Sequence, residues 1–151
     1  MHITVKNLVN LEKNIQSKIN NLNYNDYNPK IIAVSKTFKI DHINPLIEHG
    51  HIHFGENKVQ EALEKWNDIK VNNNKIRLHM IGKLQSNKVK FAVKLFDFIH
   101  SLDSEKLAQK ISDEQKKINK RLKLFIQINI GSEDQKSGIS LKNVYDFANY
   151  C

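Results

Sequence analysis

In the run IIAVSKTF, residues 31 to 38, a lysine closes an apolar stretch at the point where a buried strand should end. Four consecutive apolar residues, Ile31 to Val34, read as a strand covered on both faces, as in a parallel sheet flanked by helices. An ammonium group at such a strand end is expected to be partly desolvated. Desolvation disfavours the charged form and leaves more of the neutral nucleophile that condenses with an aldehyde. Lys36 is therefore the candidate for Schiff-base chemistry, set against the commoner fate of such a lysine, which is to snorkel into solvent. A second pattern is HGHIH, in which His49, His51 and His53 alternate and could present imidazoles to Zn²⁺ or Ni²⁺ from one face of an extended strand. His49 fits a helix end better, where positive charge suits the dipole, and no Cys or nearby carboxylate completes a ligand set. No metal site is expected.

The elements that would place Lys36 follow from hydrophobic periodicity. Residues 8 to 22 carry Leu8, Leu11, Ile15, Ile19 and Leu22 at helical spacing, an amphipathic packing helix. Five short apolar segments follow: IIAVS at 31, HIHF at 51, RLHMI at 77, FDFIHS at 96 and LKLFIQINI at 122. Each precedes a helical pattern. The first starts near Asp41 as N-cap and ends at His49 and Gly50, and the second has Val59, Leu63 and Trp66 on one face. The third carries Val89, Val93 and Phe96, and Ser104 caps a fourth with Leu107 and Ile111. Repeating strand and helix units predict a parallel sheet with right-handed crossovers. No glycine-rich nucleotide motif favours an open doubly wound sheet. In residues 122 to 130 one strand face is aliphatic and the other grows polar toward its C-terminal end, which is how the active face of a (β/α)₈ barrel looks.

Size and charge narrow the classes further. A chain of 151 residues with 40% hydrophobic content supports one domain, here residues 1–151. Its one cysteine, Cys151, allows no intrachain disulfide and suits a reducing, cytoplasmic compartment. No apolar run approaches a membrane span or a signal-peptide core. The net charge, 24 − 16 = +8, is spread through every segment without a basic tail or aromatic interleaving. Neither nucleic acid nor a membrane is an expected partner.

Taken together, AVSKT at 33 to 37, FGENKVQE at 54 to 61, HMIGKLQSNK at 79 to 88, FDFIHSLD at 96 to 103 and IQINIGSEDQKSGI at 126 to 139 resemble the pyridoxal phosphate homeostasis proteins. That family looks like a lone alanine-racemase-type barrel, and the resemblance covers the chain from about residue 8. It implies a partial (β/α)₈ barrel with about five βα units, and pyridoxal 5′-phosphate held as a Schiff base on Lys36. By the same resemblance Asn57 would sit near the cofactor ring, and His79, Met80, Ser101 and Asn129 would line the cavity. For Ser101 and Asn129, loop or cap hydrogen bonding is an equal alternative.

The implied function is cofactor homeostasis without a catalytic cycle, with pyridoxal-phosphate-dependent enzymes as recipients. Tyr24, Tyr27, Tyr145 and Tyr150 are not placed to act as a racemase's second acid or base. The competing readings are an amino-acid racemase or decarboxylase and an inactive truncated remnant. Two departures from the family pattern stand out. Lys83 replaces a common proline, and the chain stops at Cys151 where the family continues for several βα units. The family's phosphate-holding turns and the arginine facing the pyridine nitrogen belong to those later units. In GSEDQKSG, residues 131 to 138, Lys136 could attract an anion, but Glu133 and Asp134 oppose it. An unclosed barrel would also expose strand edges that invite self-association or pairing with another chain, and weak cofactor affinity is expected.

Overall fold

A computed structural model describes all residues except 25 and 132–136. Helix α1 (Ile3–Asn21) starts earlier than the leucine stripe suggests, because the His2 ring accepts from the Thr4 amide and caps it. Then come β1 (Ala33–Val34), α2 (Ile40–Glu48), β2 (His53–Glu56), α3 (Val59–Asn72), β3 (Arg77–Met80), α4 (Val89–Leu95), β4 (Phe98–Leu102) and α5 (Glu105–Lys117). The chain continues through β5 (Lys123–Ile126), β6 (Ile128–Asn129), β7 (Ile139–Ser140) and α6 (Val144–Tyr150). Strands β1 to β5 form one parallel sheet in sequential order, and β6 pairs in parallel with β7. This is the open arc of a partial (β/α)₈ barrel, the fold class expected from the alternating elements.

The helices cover one face of the sheet because each carries a single apolar stripe. Val59, Ala62 and Trp66 of α3, Val89, Ala92 and Val93 of α4, and Leu107 and Ile111 of α5 are buried against Phe54, Leu78 and Ile99. Ser104 caps α5 by accepting from the Leu107 amide, as its sequence position predicts. At α2 the expectation shifts by two residues. Lys39 is the N-cap and makes no side-chain cap bond, while Asp41 lies in the first turn, where its charge suits the dipole. His49 ends that helix and Gly50 follows at φ +95°, a conformation that favours glycine.

Two strand expectations are corrected. Residues 31 to 34 are not covered on both faces. Only Ala33 and Val34 pair, β1 is an edge strand, and Val34 is 47% exposed. The reason is tertiary: among the described residues β1 pairs with β2 alone, and no strand lies on its other edge. Likewise residues 122 to 130 are two strands, because Gln127 turns its amide to the Leu102 carbonyl and its carbonyl to the Ile139 amide. Beyond Ile126 the aliphatic face is uncovered, and Ile130 is 79% exposed.

Candidate site at the C-terminal rim

Lys36 follows β1 at the C-terminal end of the sheet, in the turn Lys36–Thr37. Ser35 sets its position: the Ser35 amide donates to the Gly55 carbonyl at 2.9 Å, and the Phe38 amide donates to the Ser35 carbonyl at 3.2 Å. Lys36 itself is exposed. The shelter expected at a strand end covered on both faces is absent, for the same reason that Val34 is open.

Asn57 occupies the matching position after β2 and is half-buried. Its backbone explains why FGEN and IG occur together. A Cβ on Gly82 would overlap the Asn57 carbonyl, while the Ile81 amide donates to the Glu56 carbonyl at 2.9 Å. Only glycine lets these two turns lie so close.

His79 of β3 pairs in register with Gly55 and is 4% exposed. Met80 is one residue further on, and adjacent strand residues point to opposite faces. Met80 is 1% exposed within the helix-covered core, beside the Phe54 and Leu78 side of the sheet. Its place as a cavity-lining residue is therefore corrected: it packs under the helices, and His79 alone represents that pair on the other face. Ser101 lies in β4 where the register slips between Ile99 and Leu102. It is buried, and its Oγ has no hydrogen-bond partner among the described residues. Asn129 ends β6. With Ile81, Lys83, Gln127, Gly131 and Ser137 it lines a rim concavity of ≈ 370 Å³. Lys136, Glu133 and Asp134 lie outside the described residues. The concavities that adjoin α1 are larger, ≈ 620 and ≈ 760 Å³, but they open at the N-terminal ends of the strands, remote from Lys36. In a parallel α/β barrel chemistry gathers at the opposite rim.

Sequence reasoning missed a row of rings on the uncovered face. His53 Nδ1 lies 3.0 Å from His79 Nε2, and His79 Nδ1 lies 2.9 Å from His100 Nε2. Phe98 stacks on His79 at 4.1 Å between centroids and Phe125 on His100 at 4.4 Å. Burial lowers the pKa of all three histidines, and for His79, flanked by the other two, it falls to about 4. Neutral imidazoles offer one donor and one acceptor each, which is what a hydrogen-bonded row requires. The signal was in the text as histidines at like-facing positions of HIHF, RLHMI and FDFIHS, but cross-strand register decides whether they meet. His51, from the HGHIH pattern, contacts the His53 carbonyl at 2.8 Å instead, and His49 caps α2.

The groups at the rim fit a pyridoxal molecule in their chemistry. The accessible Lys36 amine after β1 suits an aldehyde, and the buried Ser101 hydroxyl on β4, without a partner among the described residues, suits a polar substituent.

The fold and the rim define an α/β barrel segment of one family. Residues 7–151 match the family described as "Alanine racemase, N-terminal domain", and the chain belongs to it. Within that family it is similar to proteins named pyridoxal phosphate homeostasis protein, as its motifs imply. The Pasteurella multocida relative is 37% identical over 95% of this chain and 61% of its own length. The Buchnera aphidicola relative is 40% identical over 91% of this chain and 59% of its own. The chain thus spans about three fifths of the curated relatives it matches. Among solved structures, PipY of Synechococcus elongatus with PLP bound aligns at a TM-score of 0.71 and 30% identity, covering 85% of this chain and 60% of that one. An alanine racemase from Clostridium difficile shares the fold alone, at a TM-score of 0.62 and 16% identity. Among the described residues no helix is long and apolar enough to cross a membrane.

Proposed function

We propose that this chain forms a single barrel segment, residues 1–151, that captures pyridoxal 5′-phosphate on Lys36 and serves its homeostasis without turning over a substrate of its own. When bound, the cofactor supplies an aldehyde that a primary amine converts to a Schiff base, C=N replacing C=O with loss of one water. The observation that carries the reading is the accessible Lys36 amine at the C-terminal end of β1, in a chain whose solved neighbour PipY has PLP bound.

Lys36 would act as nucleophile, and its exposure lets an aldehyde reach it from solvent. Asn57 at the neighbouring turn, His79 on the open face, Ser101, whose hydroxyl has no partner among the described residues, and Asn129 at the rim would hold and orient the ring. Met80 has no part in this. The phosphate is assigned to no residue, and affinity is expected to be low. Dependent enzymes would receive the cofactor, in the cytoplasm, and the uncovered edge would permit association with a second chain.

The test is an absorbance titration of the chain with pyridoxal phosphate, followed by borohydride reduction and peptide mass spectrometry. The wild type should give a visible imine band and an adduct on Lys36, and Lys36→Ala should give neither. An adduct spread evenly over surface lysines would overturn the assignment. Added amino acids should exchange with the trapped aldehyde without sustained product; steady racemisation or decarboxylation would make the chain an enzyme instead.

A further inference from the structure

Behind Lys36, on the helix-covered side of the sheet, lies a charge that the proposed capture does not use. Glu56, at the end of β2, is 0% exposed. Its Oε1 accepts from Ser35 Oγ at 2.7 Å, Lys65 Nζ at 2.8 Å and Trp66 Nε1 at 2.9 Å. Its Oε2 has no hydrogen-bond partner among the described residues. All the polar contact of this carboxylate is therefore made through one oxygen, shared by α3 and the residue before Lys36.

Lys65 does more than neutralise it. The same ammonium donates to the Ser35 carbonyl at 2.8 Å. Ser35 is thus held through its amide by Gly55, through its hydroxyl by Glu56, and through its carbonyl by both Phe38 and Lys65. The next turn needs such restraint. Thr37 has φ +66°, a left-handed conformation that a β-branched residue adopts only when its surroundings impose it.

A buried ion pair is a poor way to add stability, since apolar residues of similar volume usually serve as well. What it does supply is a fixed geometry, because Ser35 and Trp66 both donate to Glu56 Oε1 and Lys65 bridges that oxygen and the Ser35 carbonyl. We propose that Glu56 and Lys65 are positioning residues that hold the Ser35–Lys36 peptide so that the Lys36 amine leaves the rim in one direction. The inference rests on the reading of Lys36 as the aldehyde-capturing amine.

The deciding experiment compares wild type with the paired variant Glu56→Gln/Lys65→Met, which removes both charges together and leaves no buried ion unpartnered. Two readouts are taken: hydrogen exchange at the Phe38 amide without cofactor, and the rate of imine-band growth with pyridoxal phosphate. Urea denaturation confirms that the variant is folded. The expected result is faster exchange and slower capture, each by about tenfold, below the ~100-fold that a 1 Å misplacement of a reacting group can cost. A folded variant with wild-type exchange and wild-type capture would overturn the proposal. Should the pair fail to fold, Ser35→Ala removes the hydroxyl link alone and is expected to change both readouts in the same directions; if neither changes, the proposal falls. Failure of the Lys36 reading would look different. The wild type itself would then form no band, while Phe38 exchange would still decide whether the two charges hold the turn.

Discussion

The two faces of the five-stranded sheet are built from alternate residues of the same strands, yet they differ in almost every physical respect. On the helix-covered face Phe54, Leu78, Met80 and Ile99 are at most 1% exposed, and the one carboxylate among them is saturated at one oxygen by three donors. On the other face the rings of His53, His79, Phe98, His100 and Phe125 form a stacked, hydrogen-bonded row, and Phe125 is 50% exposed. One face has its partners within the chain, and the other is left with surface that could accept them. Stability should therefore reside on the first face and ligand chemistry on the second, and substitutions should separate the two.

The largest effect is expected from Trp66→Ala. Trp66 is fully buried, packs tilted against Phe54 at 4.8 Å between centroids and donates its indole N–H to Glu56. Removing it opens a cavity and takes a donor from a buried carboxylate, so the loss should be about 3–5 kcal/mol. Urea denaturation followed by far-UV circular dichroism would measure it. A loss below about 1 kcal/mol would mean that the covered face is not where the fold is held.

Acid should act through the opposite face. His79 has a folded pKa of about 4 against an ordinary 6.5. As pH falls from 6.5 toward 4, the unfolded chain binds this proton first, so the folded state loses stability across that window and none above it. The loss should be on the order of 2 kcal/mol. In His79→Gln, which keeps a donor and an acceptor but cannot titrate, the decline measured by urea midpoints at successive pH values should be shallower. His51, His53 and His100, whose pKa values burial lowers as well, contribute to the slope that remains. Equal slopes in variant and wild type would break the contrast between the faces.

Much of the covered face was legible in the sequence, because helical stripes such as Val59, Leu63 and Trp66, and a cap such as Ser104, are local patterns with local causes. The role of Glu56 was not, since its donors come from positions 35, 65 and 66 and only tertiary packing brings them together. On the open face the motif residues Lys36, Asn57 and His79 could be named from the text. Pairing His79 with Met80 could not survive the two-residue period of a strand, a rule that the sequence already supplied. The exposure of Lys36 was beyond reach, because four apolar residues look alike whether or not something stands across from them. The histidine row depended on register, which a one-residue slip would have destroyed.

The smallest effect is the sharpest test of that division. Lys36 stands exposed after an edge strand, outside the covered core. Replacing it by alanine leaves the Ser35 contacts and the Thr37 backbone angle in place, since both belong to the neighbouring residues. Lys36→Ala should then change unfolding stability by less than about 0.5 kcal/mol while abolishing capture of the aldehyde. The two measurements are made on one sample, by urea titration and by the visible band. A loss near that of a core substitution would show the lysine stem packed under the turn, and the amine would then be part of the scaffold rather than a group presented to a ligand.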